Sequence, residues 1–197
     1  MSSSQAQIFT RIYDAGAGLL PTTTDAIVDQ TSAGVGEYGA VGTAPSLSGG
    51  LMTISGSGFL TINDTSLWDG AAATGSTFEF RVRATVASPD GGGANYSTGV
   101  IFGDNSGYWD TRIVFGGIGS GAIVSYNGGI QETVSLDTTV FNTFRLTIST
   151  TGVGTLYVND SATPAFTLSK NGGAFNQQQV GAYSGTITDG AAEFDYI

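Results

Sequence analysis

Residues 141–160, reading Phe-Asn-Thr-Phe-Arg-Leu-Thr-Ile-Ser-Thr-Thr-Gly-Val-Gly-Thr-Leu-Tyr-Val-Asn-Asp, constrain this chain more than any other stretch. They carry a period-2 pattern. Phe144, Leu146 and Ile148 fall on one face, and Arg145, Thr147 and Ser149 on the other. Gly152 and Gly154 lie where the chain must turn, because glycine reaches positive φ without steric cost. Leu156 and Val158 then alternate with Thr155 and Tyr157. A second turn at Asn159, Asp160 and Ser161 precedes another short apolar run at 165–168. Three linked antiparallel strands follow from these residues alone.

The same pattern recurs from residue 47 onward. Strands are expected near 51–55, 58–62, 77–87, 98–103, 110–116, 121–126, 130–135, 143–150, 154–159, 165–168, 179–183 and 191–197. The cleanest is 77–87. There Phe78, Phe80, Val82, Ala84 and Val86 point one way, and Glu79, Arg81, Arg83 and Thr85 the other. The abundance of glycine (31 of 197 residues), with much Ser and Thr, fits an all-β chain with many turns. No fixed-period repeat is visible, which argues against a solenoid or propeller.

Residues 1–46 read differently. A strand over 7–13 is followed by Gly-rich segments at 14–21 and 32–42. This section is expected to be an irregular N-terminal arm laid over a sandwich of residues 47–197, within one compact domain. Ile8, Phe9, Ile12 and Tyr13 are the arm residues expected to bury against a neighbour.

The run FNTFRLTIS, then GTLYVND and PAFTL, with the closing AEFDYI, resembles the back half of a concanavalin A-like (laminin-G-like) jelly roll. The resemblance covers roughly residues 47–197, and Asp160 stands where that family usually has glycine. It implies a jelly-roll β-sandwich whose last strand returns beside the N-terminal one. Its members include lectins, glycan-binding modules, glycosidases, lyases, adhesion domains and virion proteins, so it does not choose among functions. Glu193 and Asp195 match part of a Glu-x-Asp-x-x-Glu pattern of retaining glucanases on this fold, but no second Glu follows. They are read as structural.

Charge and composition remove several classes. The chain carries a formal net charge of −10, with five Arg and one Lys, so no cationic footprint for nucleic acid or anionic membrane is expected. It has no Cys and no His, which removes disulfides, thiol nucleophiles, Ser-His-Asp triads and His- or Cys-ligated zinc. A metal, if bound, would be a hard cation on oxygen ligands, with Ca²⁺ as the candidate. No window approaches about 18 consecutive apolar residues, and the N-terminus shows no signal-peptide pattern.

The segment 104–110 is the best polar loop in the sequence. Asp104, Asn105 and Asp110 offer oxygen ligands for Ca²⁺. Tyr108 and Trp109 offer rings for stacking on sugars. No cofactor beyond that Ca²⁺ is implied.

The chain is expected to be a non-enzymatic virion structural protein: a capsid decoration (cement) or fibre component of a bacterial virus. It would bind shell subunits and itself as a homo-oligomer, with a trimer as the guess. A chain poor in Lys, free of thiols and lacking an export signal would be made in the host cytoplasm and end in the virion. The alternative is an extracellular glycan-binding or adhesion module, with a glycosidase or lyase a distant third.

Overall fold

The computed structural model describes residues 14–17, 38–41, 43, 45–56, 59–62, 76–86, 88–89, 95–104, 107–114, 122–127, 130–149, 151–170, 178–181 and 190–197. Alternation is the rule that builds it. Along residues 77–84 and Asn142–Ile148, every second side chain is buried, and the intervening ones reach solvent on the opposite face.

Strands are numbered in chain order. One antiparallel sheet holds β2 (Ser46–Ser48), β3 (Leu51–Ser55), β5 (Ser76–Val86), β11 (Asn142–Ile148), β12 (Gly154–Val158), β13 (Phe166–Leu168) and β15 (Ala191–Tyr196). Its order is β13-β12-β11-β5-β15-β3-β2. The second sheet contains β1 (Tyr38–Val41), β4 (Phe59–Ile62), β14 (Gln178–Gly181), β7 (Asn95–Asp104), β8 (Gly107–Val114), β9 (Ala122–Asn127) and β10 (Ile130–Ser135), in that order. The two-residue β6 (Ser88–Pro89) pairs with β7. The chain is an all-β sandwich, as its sequence patterning and its resemblance both imply.

The core is built on the inner face of the seven-stranded sheet. Phe80, Phe144, Phe194, Met52 and Leu156 are its largest fully buried side chains. Phe80 stacks on Phe144 at 5.2 Å between ring centroids, with Phe78 at 5.7 Å from Phe80. Phe166, Leu168 and Ala192 complete the layer, and Val100 of β7 joins it from the second sheet. The expected inward set of β5 holds through Ala84. Val86 departs from it and is 48% exposed. A register shift where β15 pairs with Val86 and Ala84 marks the point at which the strand leaves the core.

The arm region contributes to the same body. Asp14 forms an antiparallel bridge with Tyr196, so the chain's last strand does return beside an N-terminal segment. Ala15, in a 3-10 turn over Ala15–Ala17, is fully buried in the core. Tyr38–Val41 pairs with β4. The expected strand over 7–13, with Ile8, Phe9, Ile12 and Tyr13, lies outside the described residues.

Turn chemistry explains two hairpins. Ser48 pairs with Leu51 across Gly49 and Gly50, both at positive φ (59° and 76°), the geometry of a tight I′ turn. Asn159 and Asp160 adopt the same left-handed geometry (φ 51° and 56°), closed by the Ser161 N–H donating to the Val158 carbonyl at 3.1 Å. Asn and Asp tolerate that region through local hydrogen bonding, which is why Asp160 can stand where glycine is usual.

The segment between β10 and β11 crosses from one sheet to the other and is pinned by Asn142, which is 3% exposed. Its Nδ2 donates to the carbonyls of Asp137 (2.8 Å) and Val140 (3.0 Å). Its Oδ1 accepts from Asn159 Nδ2 at 2.7 Å. Asn159 in turn accepts from the Thr143 N–H through Oδ1 and donates its own N–H to the Thr143 carbonyl. The Ala84 N–H donates to the Thr138 carbonyl, tying the same segment to β5. Phe141 leaves this knot on the outer side of the sheet.

Candidate functional site on the outer face of the seven-stranded sheet

The outer face of this sheet carries a concentration of charge that its position in the fold does not require. Three of the chain's six cationic residues, Arg81, Arg83 and Arg145, lie there beside Glu79, Glu193 and Asp195. Strand alternation puts them there, and register arranges them in rows. Tyr157, Arg145 and Glu79 are consecutive cross-strand partners on β12, β11 and β5. Thr143 is opposite Arg81 on one side, and Tyr196 is opposite it on the other. Glu193 lies between Arg83 and Thr53.

A bulge in β15 shapes the middle of this face. The register shifts between Phe194 and Tyr196, so Asp195 is the extra residue. Phe194 and Ile197 are buried, while Asp195 and Tyr196 both remain partly exposed. Regular alternation would have sent Tyr196 inward. Instead its hydroxyl donates to Glu79 Oε1 at 2.9 Å.

The ion pairs follow from the rows. Arg81 Nη1 donates to Asp195 Oδ2. Arg83 Nε donates to Glu193 Oε2 at 2.6 Å, and Nη2 lies at the same distance from that oxygen. The four side chains are 24–41% exposed, so each pair contributes at most about 1 kcal/mol to stability. Their effect is positional. Both guanidinium groups also stand over the Phe141 ring, with Cζ at 4.9 and 4.7 Å from its centroid. Arg145 stands over the Tyr157 ring at 5.0 Å. The face therefore presents partly exposed aromatic rings whose polar neighbours are locked in place.

Burial pushes the Tyr196 hydroxyl above the ordinary tyrosine value of 10.0. Hydrogen bonding with Thr143 opposes the shift, the hydrogen bond and charge of Glu79 reinforce it, and Arg81 opposes it. The folded state thus holds this proton more tightly than the unfolded chain does. The resulting stability is fully present below the unfolded value and is lost as pH rises through the folded one. Tyr196→Phe is accordingly expected to flatten the decline in stability above about pH 10, read from urea midpoints across that range. An unchanged decline would show that Tyr196 does not titrate against this face.

The polar segment read from the sequence is placed differently. β7 runs to Asp104 and β8 begins at Gly107, with Asp104 paired to Gly107, Gly103 to Tyr108, Phe102 to Trp109 and Ile101 to Asp110. What looked like a seven-residue loop is mostly paired strand. Asp110 lies three residues from the tip, about 10 Å along the strand. The side chains of Asp104, Tyr108, Trp109 and Asp110, and Asn105 altogether, lie outside the described residues. Among the described residues there is no group of three or more Asp and Glu that could hold a metal ion.

No protein-family model matches the chain, and no curated protein sequence matches it. Solved structures do. The chain is similar to the conserved carbohydrate esterase of the Shiga toxin-encoding bacteriophage phi24B, at 14% identity and a TM-score of 0.59, over 94% of each chain. It is also similar to the binding domain of botulinum neurotoxin DC, solved in complex with SialylT (12% identity, TM-score 0.57) and with rat synaptotagmin II (13% identity, TM-score 0.54). In both of these the match covers 95% of this chain and just under half of the other (46% and 47%). At such identities the likeness is one of fold.

One sequence-based expectation is corrected here. The chain was expected not to be an enzyme, on the grounds of its missing histidine and incomplete carboxylate pattern. A chain of this architecture and nearly this length is a carbohydrate esterase. Those two absences therefore do not exclude catalysis, because they tested only two catalytic designs.

Proposed function

We propose that this protein is a carbohydrate-binding β-sandwich that holds its ligand on the outer face of the seven-stranded sheet. The observation that carries this reading is the row of Tyr157, Arg145, Glu79 and Tyr196. An aromatic ring, a planar donor and a carboxylate acceptor side by side meet what a sugar offers, which is a C–H face and a rim of hydroxyls. Phe141, next in sequence to Asn142, supplies a second ring with the two arginines above it. The fold supports the reading, since the phage esterase and the toxin domain in complex with SialylT share it.

The test is binding of the purified chain to a panel of immobilised polysaccharides. At least one is expected to retain it. Tyr157→Ala is expected to weaken that interaction about tenfold, the loss of one stacking platform. Retention by none of the panel, or equal binding by the variant, would overturn the reading.

A place on the particle of a bacterial virus is a second reading, favoured by the phage source of the esterase neighbour. In that case the glycan would be a host-surface one or the partner a shell protein. Mass spectrometry of purified particles decides it, and absence of the chain there would remove this reading alone.

A further inference from the structure

The geometry points to a carboxylate-bearing sugar, a uronic or a sialic acid, as the ligand class, with Arg145 as the residue that reads the carboxylate. The inference rests on the proposed glycan-binding face and names what that face selects.

Three observations lead to Arg145. First, cations are scarce in this chain, six against sixteen acids, and half of them are on this face. An anionic ligand has few other places to go. Second, two of the three are already neutralised, Arg81 by Asp195 and Arg83 by Glu193. Among the described residues Arg145 makes no ion pair. Glu79 is its cross-strand partner, yet the acceptor Oε1 of Glu79 is occupied by the Tyr196 hydroxyl. Third, the contact Arg145 does make is with the Tyr157 ring. A guanidinium lying over a ring gives up one flat face and keeps its in-plane N–H donors, which suit a planar carboxylate.

Desolvation decides between acidic and neutral sugars. A neutral ring laid on Tyr157 would strip water from a guanidinium that makes no ion pair among the described residues, which is costly. A sugar carboxylate supplies the missing charge at the moment the water leaves. The hydroxyls of the same ring can donate to Glu79 Oε2, so the carboxylate of Glu79 becomes a second point of recognition.

The experiment titrates the full chain, its Arg145→Gln variant and its Arg145→Lys variant with four probes. These are an oligogalacturonate, a sialyl-oligosaccharide, and the carboxyl-reduced form of each. The wild type is expected to bind one of the two acids at least about tenfold more tightly than its reduced form, in line with a charge-assisted hydrogen-bond pair. Which acid binds distinguishes a uronate from a sialate. Arg145→Gln should erase the preference, leaving the acid and its reduced form bound alike. Arg145→Lys should restore it only in part, since Lys keeps the charge and loses the fork. Circular dichroism of each variant confirms an intact fold. Equal binding of acid and reduced forms, with Arg145→Gln unchanged, would overturn the inference and leave the glycan-binding reading in place. Binding of none of the probes or of the polysaccharide panel would overturn both.

Discussion

Phe80→Ala is expected to cost about 3–5 kcal/mol of folding stability. Phe80 is 2% exposed and stacked on Phe144, which is equally buried, across the β5–β11 pair. Removing the ring strips contacts from Phe78 and Phe144 at the centre of the sandwich, where strand backbones on both sides prevent collapse into the space. Against a total stability of roughly 5–15 kcal/mol, that is a large share. Urea denaturation monitored by circular dichroism measures it. A loss below about 1 kcal/mol would mean that the inner and outer faces of β5 have been assigned the wrong way round, and the charged face with them.

Asn142→Leu is expected to cost about 3 kcal/mol, although Leu is close in size and more apolar. Asn142 is not there to fill space. Its side chain satisfies the carbonyls of Asp137 and Val140 and the amide of Asn159, and the substitution leaves all three without that partner. The penalty arises from unmet polar groups rather than from a cavity. A functional consequence should accompany it. Phe141 is the residue next to this knot, so glycan binding should weaken in the variant even where it remains folded. A variant as stable as the wild type would show that the crossing from β10 to β11 is held by something other than Asn142.

The parts of this molecule legible in the sequence are those where local alternation is strong. Phe78 to Ala84 on β5, Phe144 to Ile148 on β11, and Leu156 on β12 declare their faces by period alone, and they form the core. The short apolar content of Ser46–Ser48 hid the strand before the Gly49–Gly50 turn. The segment 104–110 misled because Asp, Asn, Ser and Gly are turn formers by propensity, whereas pairing with β9 and the rest of β7 extends strand structure through most of it.

The candidate site was legible only as outward-facing residues. Arg81, Arg83 and Arg145 were visibly on the solvent side of their strands, but their partners were not. Arg81 meets Asp195 across 114 residues of chain, and Arg83 meets Glu193 across 110. The bulge that turns Tyr196 outward leaves no mark in AEFDYI, since a regular strand of that sequence would bury its tyrosine. Glu193 and Asp195, which resemble part of a catalytic pattern, are instead the counter-ions that fix two arginines over Phe141.

The most direct measurement is a map of where a bound sugar touches the protein. Backbone amide chemical shifts followed through a titration with the best-retained oligosaccharide are expected to move at Glu79, Arg145, Tyr157 and Tyr196, and to stay still along β7 and β8. Shifts concentrated on the eight-stranded sheet, with those four residues unmoved, would contradict the account.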